Sequence, residues 1–468
     1  MRRLNYQLYR HSSTPLYVQL YQQIRQAIHA EQLQFGDKLP SKRHLCDYLQ
    51  ISQNTVENAY AQLLAEGYIE SQPRRGFFVC FQSELQLARQ PPRQKPTAFQ
   101  PKANYLYDLN PNAIDTAHFP FAIWQKCGRG LGHKQQEQLL SLGDNQGELS
   151  LRNEIADYLL ASRGIHCEPA QIVVAAGVDS CMQQLILLFN QLMEKPVYAM
   201  ESYGYTSVKK LLALYHKPIV TLPLHQNNEL DLSQLAPQSV NIAFVTPSHL
   251  YPFGQVLSIG QRQNLLEWAD NGTQRYIIED DYDSEFRYKG KPIPALQSLD
   301  MNQKVIYLGS FSKLIMPALR IAFMVLPKSL LPAYQQYCGF LHSSVSRFEQ
   351  QRLAKFMAQG YFEQHIQRMR KRYRKKMELL CQLLTPYRQY LRYYGEHSGF
   401  YLLIEVLNSL YDVNELTQRA KAVGILVYPI NYPNKCLLSL GFANLNENQL
   451  SNAVGLLCLQ WGLRDKCL

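Results

Sequence analysis

Short apolar runs separated by stretches long enough for helices most narrowly limit what this chain can fold into. They are Ile172-Val173-Val174-Ala175, Pro196-Val197-Tyr198-Ala199, Ile242-Ala243-Phe244-Val245, Tyr276-Ile277-Ile278-Glu279-Asp280 and Val305-Ile306-Tyr307-Leu308. Runs that lack polar alternation suit strands buried on both faces, as in a sheet covered by helices on each side. The intervening lengths fit crossover helices. The pattern therefore predicts a large α/β domain around a mainly parallel sheet. In such a sheet, functional groups collect beyond the C-terminal ends of the strands.

A polar stretch containing Pro91, Pro92, Pro96 and Pro101 argues against a continuous helix there. It divides the sequence into a small module at 1–81, a linker at 82–104 and the large domain at 105–468. With 468 residues, 46% hydrophobic and 18% charged, the chain reads as globular and longer than one domain requires. Lys and Arg total 48 against 37 acidic residues, a net charge of +11. That excess is compatible with a polyanionic partner and equally with a merely basic enzyme. The ten cysteines form no CxxC pair and show no tight metal-site spacing with histidine. They read as reduced, mostly buried thiols of a cytoplasmic protein. No charged-then-apolar leader opens the chain, and no apolar run reaches about 18 residues, so neither secretion nor membrane spanning is expected.

The small module carries three helical signals. Leu16, Leu20, Ile24 and Ile28 recur every fourth residue and line one helix face. Ser41 can cap a second, short helix bearing Leu45 and Leu49. Ser52 can cap a third bearing Val56, Ala59, Tyr60 and Leu63 and ending near Gly67. Tyr68-Ile69-Glu70, a turn at Gln72-Pro73-Arg74-Arg75-Gly76 and Phe77-Phe78-Val79 complete a hairpin. Together they make a winged helix-turn-helix, whose third helix enters the major groove N-terminus first. Ser52, Gln53, Asn54 and Thr55 lie near its start and Asn58 a turn later, where amides read base edges and hydroxyls reach bases or phosphate. Lys42, Arg43 and His44 suit backbone anchoring. Arg74 and Arg75 sit at the wing tip, although two arginines on a turn are otherwise an ordinary solvated pair. The module resembles the GntR family of bacterial regulators from Pro15 through Val79. The shared motifs are Leu39-Pro40-Ser41, Asn54-Thr55-Val56, Leu63-Leu64-Ala65-Glu66-Gly67-Tyr68-Ile69 and Arg75-Gly76-Phe77-Phe78-Val79. It departs at Gln53, where the family usually has arginine, and at Glu57-Asn58, where basic residues are frequent. The resemblance therefore implies double-stranded operator DNA as partner without specifying the operator.

In the large domain, Lys313 ends the run Tyr307-Leu308-Gly309-Ser310-Phe311-Ser312-Lys313, and Arg320 follows. A lysine beside two hydroxyls after an apolar run suits an aldehyde-bearing, phosphorylated cofactor. The amine can form a Schiff base, and Ser310, Ser312 and Arg320 can hold phosphate. Asp280 and Tyr282 follow another run, where a carboxylate can pair with a pyridinium nitrogen and a tyrosine can donate to a phenolic oxygen. Gly177 and Val178 open a helix whose first N–H groups can bind phosphate. His249 follows a further strand, and Tyr205 is placed to stack on a ring. Taken singly, each has a structural reading: Asp280-Asp281 capping a turn, Tyr205 in the core, His249 bonded to a loop.

From about Leu109 to Trp461 this domain resembles fold-type I aminotransferases. The whole chain is similar to the MocR group of the GntR family, in which such a domain follows a winged helix. The landmarks are Ser162-Arg163-Gly164-Ile165 with Gln171-Ile172, the acidic turn Glu279-Asp280-Asp281-Tyr282-Asp283-Ser284-Glu285-Phe286-Arg287-Tyr288, and Gly309-Ser310-Phe311-Ser312-Lys313 with Pro317, Leu319 and Arg320. The resemblance implies pyridoxal 5'-phosphate (PLP) as cofactor. Lys313 would carry it, Asp280 would pair with the ring nitrogen, Tyr282 would contact the ring oxygen and Tyr205 would stack. Ser310, Ser312 and Arg320 would surround the phosphate. Gly177, Val178 and His249 join the expected cofactor site from their places after strands. It also implies a head-to-tail homodimer.

The departures bear on activity. Asp179-Ser180-Cys181 stands where the family usually has a glutamine pair and alanine, and a carboxylate there repels phosphate unless it points away. Tyr203 replaces a usual proline, and Leu250 a usual glutamine. Ser439, in Lys435-Cys436-Leu437-Leu438-Ser439-Leu440-Gly441-Phe442, falls where many relatives clamp a substrate α-carboxylate with arginine. From Asp412 through Asn452 the sole arginine is Arg419. Loss of the clamp argues against ordinary amino-acid turnover, although Lys435 offers a replacement charge. The expected function is a DNA-binding transcription regulator sensing PLP or an amine or amino-acid ligand. The alternatives are an aminotransferase with an appended regulatory module and a domain that only dimerises.

Overall fold

The computed structural model describes residues 6–10, 12, 14–81, 105–129, 137–225, 227–235, 239–290, 293–407 and 409–463. The chain divides into two compact units, Met1–Lys102 and Ala103–Leu468. The linker expected at 82–104 and Cys467 lie outside the described residues.

The first unit contains α1 (Leu16–His29), α2 (Lys42–Leu49), α3 (Gln53–Ala65) and the hairpin β1 (Ile69–Gln72) and β2 (Gly76–Val79). Leu20, Ile24 and Ile28 of α1 share one buried core with Leu45, Val56, Tyr60, Leu63, Ile69 and Val79. Both helix starts are capped as their serines predict. Ser41 Oγ accepts the His44 N–H at 3.2 Å, and Ser52 Oγ accepts the Thr55 N–H at 3.3 Å. The Tyr60 hydroxyl donates to the Pro40 carbonyl at 2.9 Å and fixes α3 against the entrance to α2. The hairpin pairs Ile69 with Val79 through Gln72 with Gly76, so Arg74 and Arg75 fall in its turn.

In the second unit, β3 (Tyr107–Asp108), α4 (Phe121–Arg129) and α5 (Leu149–Arg163) precede an alternating series. It comprises β4 (Ile172–Ala175), α6 (Val178–Leu192), β5 (Tyr198–Glu201), α7 (Thr206–Leu214), β6 (Ile219–Leu222), β7 (Ile242–Val245), α8 (Ile259–Asp270), β8 (Tyr276–Asp281), β9 (Val305–Ser310) and β10 (Ala322–Val325). These strands form one seven-stranded sheet in the order β4-β10-β9-β8-β7-β5-β6. Neighbours are parallel except β10, which runs antiparallel to both β4 and β9. Strand alternation serves two cores. Val173 and Ala175 share one with α6 and α9 (Leu331–Cys338), and Ile172 and Val174 share another with α5, α10 (Arg347–Ala358) and α11 (Tyr361–Leu384). The strand expected from Pro196 begins at Tyr198 instead, because proline has no N–H to give the ladder. A second, antiparallel sheet contains β11 (Leu391–Tyr394), β12 (Tyr401–Val406), β14 (Tyr428–Tyr432) and β15 (Lys435–Gly441) in the order β11-β12-β15-β14. Associated with it in sequence are α12 (Val413–Ala422), β13 (Ile425–Leu426), which pairs with β3, and α13 (Glu447–Gln460).

The end of β8 is anchored from below. Arg163, the last residue of α5, pairs through Nε with Asp281 Oδ2 at 2.7 Å, both side chains being buried. The contact is an ion pair rather than a well-directed hydrogen bond. Its remaining nitrogens donate to the Ile293 carbonyl at 2.6 Å and Ser248 Oγ at 2.8 Å. Burial opposes the guanidinium charge, but Asp281 and its acidic neighbours hold Arg163 firmly protonated. The Tyr307 hydroxyl donates to the same Asp281 oxygen at 2.7 Å. Glu279, wholly buried, accepts the N–H groups of Leu296 and Gln297 at 2.7 and 2.8 Å. Removing one partner of a buried pair strands the other charge. Arg163→Ala is expected to lower the unfolding free energy of the large unit by about 3–5 kcal/mol, measured by denaturant titration.

Candidate functional site

The reversed strand β10 gathers residues that are far apart in sequence. Gly177 lies between β4 and α6. Arg320 precedes β10, Ser310 ends β9, and Lys313 follows in the next turn. Asp280 and Tyr282 lie at the end of β8, His249 follows β7, and Tyr205 precedes α7 after β5. Because β4, β10, β9, β8, β7 and β5 are consecutive neighbours, these residues line one edge of the sheet.

Lys313 and Asp280 have opposite perturbations. The Lys313 ammonium lies 5.0 Å from the centre of the Tyr282 ring and 5.2 Å from that of Phe400. Burial lowers its pKa, with Asp283 and Asp280 opposing. Asp280 is buried, and its Oδ1 has no hydrogen-bond partner among the described residues. Its carboxyl is pushed up to about 8, first by burial and then by the Asp281 and Glu201 charges, while Lys313 pulls the other way. A buried carboxylate without a donor is costly unless a cation or proton meets it. The pair thus offers a nucleophilic amine and an acceptor for a cationic ring nitrogen.

Gly177, Val178, Ser310, Ser312 and Arg320 form a second group. Gly177 has φ +95, and a Cβ there would run into the Arg320 guanidinium. Arg320, itself left-handed at φ +51, donates to the Ala176 carbonyl at 3.4 Å and reaches Asp179 Oδ2 at 3.5 Å. The N–H groups of Ser180 and Cys181 bond the Gly177 carbonyl at 3.0 and 3.2 Å, which leaves those of Val178 and Asp179 ahead of the helical ladder. Ser310 Oγ accepts the Ser312 N–H at 3.2 Å. Unladdered amides, a guanidinium and hydroxyls at one helix start make an anion cup.

His249 lies behind this front. Its ring is buried and stacked between Tyr282 (5.5 Å between centres) and Tyr401 (5.8 Å), and its Nδ1 is 2.8 Å from both Asp283 carboxylate oxygens. Gly399, at φ +79, permits the fit, since a Cβ there would strike the imidazole. The Tyr282 hydroxyl donates to the His249 carbonyl at 2.9 Å. Tyr205 is 42% exposed. Burial raises its hydroxyl pKa, followed by the Asp179 charge, while a Ser207 hydrogen bond lowers it; Asp280 and Arg320 then act in opposite directions. Sequence reasoning assigned no role to Asp283 or Phe400. Asp283 stood inside the acidic turn already singled out, whereas nothing in the sequence announces that Phe400 reaches Lys313. On β15, Ser439 is wholly buried with its Oγ unpartnered among the described residues. Lys435 pairs with Glu405 at 3.6 Å and lies over the rings of Phe253, Tyr394 and Tyr432.

In the first unit, Gln53, Asn54 and Asn58 are exposed on α3, and Arg43, His44, Arg74 and Arg75 are exposed nearby in sequence or on the hairpin turn. Ser52 and Thr55 bond each other through their hydroxyls at 2.8 Å. Glu57 accepts from Gln53 at 3.1 Å and pairs with Lys42 at 3.4 Å. Arg75 lies 5.3 Å from the centre of the Phe78 ring.

The fold and the edge-of-sheet site define an aminotransferase-type domain behind a winged helix. Residues 105–457 match the family Aminotransferase class I and II, and residues 16–79 match Bacterial regulatory proteins, gntR family. The uncharacterized HTH-type transcriptional regulator YdeL of Bacillus subtilis (strain 168) is 36% identical, over 96% of this chain and 97% of its own. The probable rhizopine catabolism regulatory protein MocR of Rhizobium meliloti is 29% identical, over 95% and 93%. The α-aminoadipate aminotransferase LysN of Thermus thermophilus, solved with N-(5'-phosphopyridoxyl)-L-leucine, superposes with a TM-score of 0.65 at 21% identity, covering 77% of this chain and 93% of its own. The chain belongs to the MocR group of the gntR family, DNA-binding transcription regulators with an aminotransferase-like domain. Among the described residues, no helix is long and apolar enough to cross a membrane.

Asp280 supplies a pH test. Its carboxyl is raised from 3.8 to about 8 in the folded protein, so its ionisation opposes folding. The penalty is absent below the ordinary value and grows as pH rises to about 8. Without added cofactor, Asp280→Asn is expected to melt higher than wild type near pH 8, with the gap narrowing toward about pH 5. Calorimetric scans across that range check both the sign and the trend.

Proposed function

We propose that this chain is a PLP-responsive transcription regulator, cytoplasmic and homodimeric in a head-to-tail arrangement, that binds operator DNA through its winged helix. The observation that carries the cofactor reading is the buried, unpaired Asp280 oxygen in the field of Lys313. It fits a protonated ring nitrogen, as the Gly177–Arg320 cup fits a phosphate. When bound, PLP supplies an aldehyde that captures primary amines and an electron-withdrawing ring. Lys313, with its lowered pKa, is the amine that holds it. Asp280 keeps the ring nitrogen protonated. Arg320, the Val178 and Asp179 N–H groups, Ser310 and Ser312 hold the phosphate, and Tyr205 stacks. Tyr282 would contact the cofactor, and His249, locked to Asp283, would hold Tyr282 through its backbone carbonyl.

Sensing rather than turnover is supported by β15. Its lysine is paired with Glu405, and Ser439 carries no charge for a carboxylate. The effector is PLP itself or an amine or amino-acid ligand that reaches it. On the DNA side, α3 presents Gln53, Asn54 and Asn58 to base edges, with Ser52 and Thr55 near its start. Lys42, Arg43, His44, Arg74 and Arg75 neutralise phosphates.

Binding to the chain's own upstream DNA, with and without PLP and candidate amines, tests the whole reading in wild type and Lys313→Ala. A specific complex that responds to PLP in wild type alone is expected. Absence of any specific complex overturns the regulator reading. A complex indifferent to PLP and to the substitution overturns the cofactor part. Replacing Arg74 and Arg75 together with alanine should weaken binding and flatten the log–log salt dependence by roughly two phosphate contacts, measured by titration at several salt concentrations.

A further inference from the structure

The anion cup holds an anion of its own. Asp179, the second residue of α6, places Oδ2 3.5 Å from Arg320 Nη2, the same nitrogen that donates to the Ala176 carbonyl at 3.4 Å. Its other oxygen, Oδ1, is buried without a partner among the described residues, although the side chain as a whole is 40% exposed. A phosphate seated on the Val178 and Asp179 N–H groups and on Arg320 meets this carboxylate at the guanidinium. One cation then faces two anions at contact distance. The field at the neighbouring Tyr205 hydroxyl already reflects the carboxylate, since Asp179 ranks directly behind burial in raising it and ahead of the opposing Arg320.

We infer that Asp179 competes with the cofactor's phosphate for Arg320, so that capture requires the carboxylate to turn away, and that this residue sets the PLP concentration at which the site fills. The inference rests on reading the cup as the phosphate site of PLP. A competing carboxylate weakens retention, which disadvantages an enzyme that must keep its cofactor but suits a protein whose occupancy reports supply. A merely structural Asp179 would serve as a favourable charge in the first turn of α6. Its loss would then cost stability without changing affinity for phosphate in particular.

The test uses the full-length protein. PLP and pyridoxal, its phosphate-free counterpart, are titrated separately into wild type, Asp179→Asn and Asp179→Ser, and bound cofactor is followed by absorbance. The PLP dissociation constant is expected to fall about tenfold or more in both variants, with that of pyridoxal unchanged. The serine variant guards against a fold-specific defect of the asparagine one. PLP uptake by the variants alone also supports the inference. An unchanged or weaker PLP affinity in folded variants overturns it while leaving the cofactor reading intact, as does an equal gain for pyridoxal. Failure of wild type and both variants to take up PLP overturns the cofactor reading and this inference with it.

Discussion

The buried ion pair between Arg163 and Asp281 carries the site. β8 ends in consecutive carboxylates, Glu279, Asp280 and Asp281, all buried. Three uncompensated charges there would be untenable. Strand alternation divides the load, because successive side chains leave opposite faces of a sheet. Glu279 and Asp281 share one face, where backbone N–H groups meet Glu279 and where Tyr307 and Arg163 both meet Asp281 through Oδ2. Asp280 takes the other face, where Lys313 is the cation whose charge counters it. Arg163 meets most of the load on the first face, while Asp280 on the other keeps Oδ1 without a partner among the described residues and is held toward its neutral form by burial and the Asp281 charge. Arg163 also bonds the Ser248 hydroxyl in the turn that carries His249, so one guanidinium fixes the ends of two neighbouring strands.

The sheet's one reversed strand supplies the remaining geometry. β10 enters at the edge where β4 and β9 leave, and its register sets Ala322 opposite both Ala175 and Ser310. Arg320, just ahead of β10, therefore falls between the start of α6 and the hydroxyls that precede Lys313. A parallel strand in that place would carry the arginine to the opposite edge. Its left-handed backbone and the missing Cβ at Gly177 are both consequences of bringing a guanidinium against a helix start.

What could be read in the sequence follows from where the determinants lie. The winged helix was legible because its signals are local: Ser41 and Ser52 at their caps, apolar residues at helical spacing, and a turn sequence between two short strands. Strands buried on both faces were legible as apolar runs. β6 is half-exposed at the sheet edge, and β10 follows a proline-bearing turn, so neither stands out from its surroundings. The second sheet is rich in tyrosine and interrupted by loops, and its pattern does not distinguish it from turn-rich segments. Among the site residues, those at strand ends could be expected from topology. The approach of Phe400 to Lys313, and the enclosure of His249 by Asp283 and Tyr401, are products of packing between distant segments that no spacing encodes.

The arrangement of charges also explains how an enzyme-like site can serve a regulator. Turnover of α-amino acids needs a fixed cation for the carboxylate, so that the reacting bond is held in one orientation. On β15 the position in question is a buried serine between Leu403 and Tyr428 in the ladder, and the nearby lysine is already matched to Glu405. Charging Ser439 would bury an unpaired cation against a face shared with Leu437 and Leu403, at a cost of several kcal/mol. As built, the face offers no fixed cation at Ser439, whereas Lys313, Asp280 and the Arg320 cup suit the cofactor proposed above. On the reading proposed above, a site that retains the groups for capture without a group for orienting a substrate reports occupancy, which is the quantity a regulator needs.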